Sequence, residues 1–250
     1  QALNDFVQLT QHHLKNEKRL TADIAHELKT PLSELISLSE MAIRYPNDQR
    51  IAATYQQDVL AIGLNMKGIV NNLLLLQQVA SGNIQLQRQS IDLIERINLL
   101  VAELTGKYAD ASQRVYIDNQ IGPLECDVDS FSLQTILVNL LDNALFYSPP
   151  NTPIQVTLRL LERDEKLKDG ATLIHVEMTN QLKQAISDSD LTQLSLPLYQ
   201  VEQSRTDNNR HGLGLAIVAN IAQINQLKFS YCLQGPAKIS FSFVAPSVKP

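Results

Sequence analysis

His26 and Glu27 are neighbours, and Thr30 follows the histidine by four residues, one turn on if the segment is helical. Counted at about 100° per residue, Leu20, Ile24, Leu28, Leu32 and Leu35 share one face, while His26 and Thr30 fall on the opposite one. The histidine should therefore point to solvent. A neutral imidazole nitrogen is a good nucleophile near neutral pH, and a carboxylate beside it can orient it and accept its other proton as charge develops. A lone exposed histidine is just as much an ordinary surface residue. Pro31 removes a helical hydrogen bond and should bend the helix just after His26, with a simple kink of no further role as the other reading. Further on, Asn139 and Asn143 lie one helical turn apart on a single face, where two amides are either surface polars or a paired site. Gly212-Leu213-Gly214-Leu215 follows a long irregular stretch and opens a helix; a glycine pair alone often marks only a tight turn.

These residues need elements to position them. From Phe6 to about Arg44 there is no glycine and the one proline is Pro31, which predicts a long helix with a local interruption. Tyr45-Pro46-Asn47-Asp48-Gln49 has turn chemistry. A second helix is predicted from about Ile51 to Ala80, with Val59, Met66, Ile69, Leu73 and Leu76 at alternating spacings that make a coiled-coil-like seam. Two long helices joined by a short turn form an antiparallel hairpin that cannot bury both apolar stripes alone, so a dimeric four-helix bundle is the simplest solution.

Ser81-Gly82-Asn83 stops the second helix and the polar run Gln85 to Ser90 reads as a linker, placing a domain boundary near residue 86. The division is thus 1–85 and 86–250. Beyond it the pattern predicts a helix around Ile91 to Tyr108, a strand near Val115 to Asp118 and a helix from about Asp129 to Phe146. Two strands follow, in which Ile154, Val156, Leu158 and Leu160, then Ile174, Val176 and Met178, alternate with polar residues. An irregular segment from Gln181 to Arg210, a helix opening at Gly212 and strands around Phe229 to Leu233 and Ile239 to Phe243 complete the chain. Single-faced alternation suits a mixed sheet with helices on one face, and so long an irregular segment suits a lid or binding loop.

Composition narrows the function. A chain of 250 residues with 44% hydrophobic content can bury real cores, which disfavours disorder. The net charge of −5 offers no basic field for neutralising phosphates, so nucleic acid is not an expected partner. Cys126 and Cys232 lie far apart without metal-ligand spacing and read as small buried hydrophobes in a reducing compartment. No run approaches the roughly 18 apolar residues of a membrane span, and the opening segment lacks a signal-peptide pattern. Taken alone the sequence reads as soluble, and its start, inside a helix and without Met, suggests a piece of something longer.

The string Ala25-His26-Glu27-Leu28-Lys29-Thr30-Pro31-Leu32 resembles the phosphoacceptor box of bacterial sensor histidine kinases, and the resemblance runs on through nearly the whole chain. Leu137 to Ser148 resembles the family's N box, Gly212-Leu213-Gly214-Leu215 its glycine box, Leu198-Tyr199 its aromatic F box and Ser204-Arg205 a lid pair. The resemblance implies a phosphotransfer hairpin followed by an ATP-binding α/β sandwich of the gyrase type. It implies that His26 takes the γ-phosphoryl group of ATP, that Glu27 is the orienting base, and that Thr30 positions a water when the site dephosphorylates its partner. It makes Asn139 the Mg²⁺ ligand, since amide oxygens are hard neutral ligands and Mg²⁺ is held largely through substrate phosphates. Asn143 then contacts metal or phosphate, and Tyr147 lies in the nucleotide site. Gly212, Leu213, Gly214 and Leu215 bring backbone N–H groups to the triphosphate at a helix N-terminus. Arg205 and Arg210 steady the γ-phosphate, or are solvated loop charges. The implied partners are a second copy of the chain and the receiver domain of a response regulator, with membrane attachment only through an N-terminal sensor region absent from this sequence, so that the chain would be the cytoplasmic part of an inner-membrane protein.

Two positions depart from the pattern. Phe146 stands where many members carry lysine, which removes a common phosphate contact. Members usually end the second strand with Asp-x-Gly-x-Gly; here the segment is Asn180-Gln181-Leu182-Lys183-Gln184, and the alternation of Val176 and Met178 puts Asn180 at the Asp position. Its side-chain oxygen can still accept from the adenine amino group. An ATP-binding-impaired or phosphatase-biased signalling module is therefore the alternative to an active kinase. His175 and His211 show no ligand geometry and read as structural or solvent-facing.

Overall fold

The computed structural model describes residues 2–81, 85–120, 122, 125–161, 172–201, 210–235 and 237–248, the side chains of 2–21 and of Ala80 excepted. Leu20 and Arg205 fall outside what is described. The chain divides into two compact units, residues 1–75 with 197–213, and residues 76–196 with 214–250.

In the first unit α1 (Ala2–Arg44) and α2 (Gln49–Ala80) form the expected hairpin. Asp48 sets its turn, accepting from the Arg50 backbone N–H at 2.9 Å and pairing with the Arg50 guanidinium, which holds its carboxyl below the usual range. Contrary to the expected interruption, α1 runs unbroken through Pro31. Ile69 is fully buried and Val59, Met66, Leu73 and Leu76 are half-buried, so the predicted seam is the inner one. Leu32, Ile36, Met41, Leu60, Leu64, Val70 and Leu74 remain exposed on this single hairpin. A stretch within Gln49–Val79 has mean hydropathy 1.6, so by length and composition α2 is apolar enough to cross a membrane, contrary to the expectation that no run approaches a span.

The second unit opens on a strand where a linker was expected. The supposed linker contributes β1 (Arg88–Asp92), which pairs antiparallel with β3 (Glu125–Asp129) in a two-stranded sheet that the sequence reading did not anticipate. The predicted 91–108 helix is correspondingly shorter, as α3 (Leu93–Leu104), because Asp92 caps it by accepting from Ile94 and Glu95 N–H. After α4 (Ala111–Arg114) come β2 (Val115–Asn119), α5 (Ser130–Tyr147), β4 (Ile154–Leu161), β5 (Leu173–Gln181), α6 (Asp188–Leu191), α7 (Gly214–Ile224), β6 (Lys228–Leu233) and β7 (Lys238–Pro246). The main sheet has the order β2-β4-β5-β7-β6, parallel only between β2 and β4.

Its inner face is a row of buried residues on each central strand: Ile154, Val156 and Leu158 on β4, Ile174, Val176, Met178 and Asn180 on β5, and Ile239, Phe241, Phe243 and Ala245 on β7. The α5 and α7 helices pack on this face with Leu133, Ile136, Leu137, Leu140, Ile217 and Ile221 fully buried. Each such side chain contributes about 1.5–3 kcal/mol on burial. Asp129 caps α5 through the Ser132 N–H at 2.8 Å and accepts from the Gln87 N–H at 3.0 Å; burial opposes its charge, but these bonds outweigh that and hold its carboxyl below the usual range. At the other end, buried Arg114 donates to the carbonyls of Leu145, Pro149 and Thr152, fastening the chain on either side of Tyr147 and Ser148. Cys126 is buried, which pushes its thiol up to about 12, whereas Cys232 is exposed on the edge strand, against the expectation that both would be buried.

Candidate active site

His26 and Thr30 are both exposed on α1, on the side away from half-buried Ile24, Leu28 and Leu35. The Thr30 hydroxyl turns back and donates to the His26 carbonyl at 3.4 Å, the i−4 bond that helical threonines form. Pro31 lacks the N–H that would reach the Glu27 carbonyl, so the turn beside the histidine is held by fewer backbone bonds than its neighbours. Glu27 does not stand free. Its Oε2 lies 3.0 Å from Nδ1 of His211, whose Nε2 is 2.6 Å from the Asn65 Oδ1 on α2. The reading of His211 as merely structural or solvent-facing missed this; no spacing in the sequence connects residues 27, 65 and 211.

The segment carrying His211 is pinned through its backbone carbonyls. Leu198 N–H donates to the Gly212 carbonyl at 3.0 Å, and Gln200 Nε2 to the Arg210 carbonyl at 2.5 Å. Gly212 has φ +63°, and a Cβ there would overlap the Tyr199 carbonyl oxygen and come within 2.9 Å of the Leu198 carbonyl carbon. Glycine at 212 is thus required by the 198–199 backbone, not only by a ligand. Leu213 is buried.

In the second unit Asn139 and Asn143 share the α5 face predicted for them, and Gly214, the first residue of α7, sits over both. A Cβ on Gly214 would lie 2.8 Å from the Asn139 Oδ1 and 3.7 Å from the Asn143 Nδ2. Asn139 Nδ2 donates to the Thr135 carbonyl at 2.8 Å, so the amide is fixed with its oxygen outward. That orientation fits a hard cation. Among the described residues no group of three His, Cys, Asp or Glu converges, so Mg²⁺ here would depend on phosphate oxygens for most of its ligands. Leu215 is half-buried behind Gly214.

Asn180 ends the buried row of β5 at 2% exposure, between Ile154 and Ile239 on the neighbouring strands. Its Nδ2 donates to the Ser148 Oγ at 3.0 Å and to the Gln181 carbonyl at 2.8 Å. A carbonyl only accepts, and the Ser148 hydroxyl already donates to the Ala144 carbonyl, so the amide cannot be turned over. Asn180 Oδ1 is left buried without a hydrogen-bond partner. An unpaired buried acceptor costs about 1–3 kcal/mol, which a ligand N–H would recover. Close by in the chain, Lys183 N–H donates to the Tyr147 carbonyl at 2.8 Å and its ammonium lies 4.8 Å from the centroid of the Phe146 ring. Tyr147 packs edge-on against Phe146 at 4.8 Å between centroids.

An exposed histidine on a helical hairpin and a sandwich with paired asparagines agree with two family matches. The His Kinase A (phospho-acceptor) domain matches residues 16–82, and the histidine kinase-, DNA gyrase B- and HSP90-like ATPase family matches residues 128–246. The chain belongs to the two-component sensor histidine kinases. It is 29% identical over 220 residues to the probable sensor protein PcoS of Escherichia coli, a match covering 86% of this chain and 44% of that protein. It is 26% identical over 214 residues to the autoinducer 2 sensor kinase/phosphatase LuxQ of Vibrio vulnificus, covering 84% of this chain and 24% of LuxQ. The chain therefore spans less than half the length of these relatives. Its fold matches histidine kinase ThkA, solved in complex with the response regulator protein TrrA, with a TM-score of 0.69 at 16% identity over 95% of this chain and 64% of that one. The family match across α2 gives the apolar surface of that helix a place in the hairpin.

Proposed function

We propose that this chain is an ATP-dependent protein-histidine kinase that phosphorylates itself on His26 and passes the phosphoryl group to an aspartate of a response regulator. Residues 1–85 serve as the phosphotransfer hairpin and 86–250 as the catalytic domain. Two copies pair through the exposed apolar residues of α1 and α2, among them Leu32, Ile36, Leu60 and Leu64. The relatives are sensor proteins, which supports the chain being the cytoplasmic part of an inner-membrane protein.

The observation that carries the reading is the orphaned Asn180 Oδ1, a buried acceptor fixed in orientation and suited to the amino group of adenine. It favours nucleotide binding over the impaired module, because the substituted position retains the acceptor that the resemblance requires. Asn139 presents its amide oxygen, and Gly214, without a side chain, lies over it with the Asn143 amide alongside; the resemblance adds Tyr147, Gly212, Leu213 and Leu215 as nucleotide-binding residues. Mg²⁺, held by the Asn139 amide oxygen together with the nucleotide's phosphate oxygens, would supply charge neutralisation. In the transfer, a His26 ring nitrogen attacks the γ-phosphorus as the bond to the β-γ bridging oxygen breaks, ADP departs, and Glu27 accepts the proton of the other ring nitrogen as positive charge develops there. Thr30, exposed one turn on, orients water for the reverse duty of removing phosphate from the regulator, an activity that the name of LuxQ also carries. Incubation with γ-labelled ATP and Mg²⁺ tests the proposal. Covalent label on the chain that chases onto an added receiver domain supports it; no label at saturating nucleotide supports the impaired module.

A further inference from the structure

Resting on that reading, we propose that His211 is a positioning residue for the phosphotransfer: it holds the Glu27 carboxylate in place beside the acceptor histidine. Activated nucleophiles recur as a chain of three, in which the base that serves the nucleophile is itself oriented by a third group. Here the first two are neighbours on α1, and the third arrives from the segment just before the glycine box. His211 Nδ1 engages Oε2 of Glu27, at 3.0 Å, so the contact takes one carboxylate oxygen and leaves Oε1 for the acceptor histidine during transfer.

The ring is fixed from its other side. Its Nε2 meets the Asn65 side-chain amide at 2.6 Å, and that amide can offer either its oxygen or its NH₂, so both ring nitrogens stay satisfied whether the imidazole carries one proton or two. The His211 side chain is 11% exposed and that of Glu27 27%, so the contact is shielded enough for a charge-assisted bond to hold its geometry. Asn65 on α2 and Glu27 on α1 together make a two-point seat, and the Gln200 side-chain amide and the Leu198 backbone N–H pin the carbonyls of Arg210 and Gly212 on either side of His211. The clasp sits one residue after His26 in sequence and one residue before Gly212. It therefore ties the base on α1 to the segment that leads into the glycine box.

The test is a double-mutant cycle on the full chain, with rates read at saturating ATP. His211→Ala should lower autophosphorylation about tenfold, the loss of one oriented charge-assisted bond, with ATP affinity changed less than about twofold. His211→Asn, which retains a donor near the Nδ1 position, should regain part of that rate. In a Glu27→Gln background the same His211→Ala change should cost less than about twofold, since neighbours that act together are not additive. An undiminished loss in that background, or a loss that appears in ATP affinity instead of rate, overturns the proposal. The ring-nitrogen resonances of His211 in nucleotide-free protein give an independent readout: Glu27→Gln should shift Nδ1, and an unmoved resonance also overturns it. A wild-type chain that takes no label refutes the kinase reading, while this resonance still decides the clasp.

Discussion

Replacing Asn180 with Leu separates the two duties of its amide. In the free protein the change removes two donated bonds, to Ser148 Oγ and the Gln181 carbonyl, each with a net value of about 1 kcal/mol. It also removes the orphaned Oδ1, whose burial costs about 1–3 kcal/mol. The terms oppose each other, so stability without ligand should stay within about 1 kcal/mol of wild type. Nucleotide binding has no such offset. The adenine amino group would meet a methyl group, leaving a buried donor unpaired at about 1–3 kcal/mol, or roughly 5- to 150-fold in affinity. Purine riboside triphosphate lacks that amino group and should bind Asn180→Leu no worse than it binds wild type. Calorimetric titration of both nucleotides into both proteins, with urea unfolding as the control, reads all of these quantities. Equal weakening of the two nucleotides, or ATP binding unchanged, would refute the argument that residue 180 reads the amino group.

Asn180→Asp exchanges the two donated bonds for charge: the free protein should lose about 1–3 kcal/mol in urea unfolding, while ATP binds more tightly, and unchanged stability would mean that the amide orientation is wrong. Gly214→Ala drives a Cβ against the Asn139 Oδ1 and should weaken Mg²⁺-ATP as Asn139→Ala does, with little effect on metal-free adenosine; equal losses for both ligands in titration would indicate a folding defect instead. Thr30→Ala removes only a hydroxyl that bonds the His26 carbonyl. It should preserve autophosphorylation and slow dephosphorylation of the regulator, and an unchanged phosphatase rate would exclude Thr30 from that role.

The parts of the fold that sequence revealed are those with a clean period. The helical seam through Val59, Met66, Ile69, Leu73 and Leu76, the alternation along β4 and β5 and the α5 helix starting at Asp129 all lie where the pattern put them. Alternation also located Asn180, because the side-chain period of a strand admits no other face. The β1–β3 pair was hidden because Arg88, Gln89 and Ser90 are exposed and carry no apolar alternation; only their partners across the ladder define them. Contacts between distant residues were equally illegible. Arg114 beneath the end of α5, Lys183 over Phe146 and His211 between Glu27 and Asn65 each depend on tertiary placement, which local spacing does not encode.

The most direct test of the whole account is the position of the phosphoryl group. After incubation with γ-labelled ATP and Mg²⁺, the chain should carry label on the peptide containing His26, and His26→Ala should bind ATP with wild-type affinity yet take no label. Label persisting on that variant, or mapping to any other residue of the wild-type chain, would contradict it.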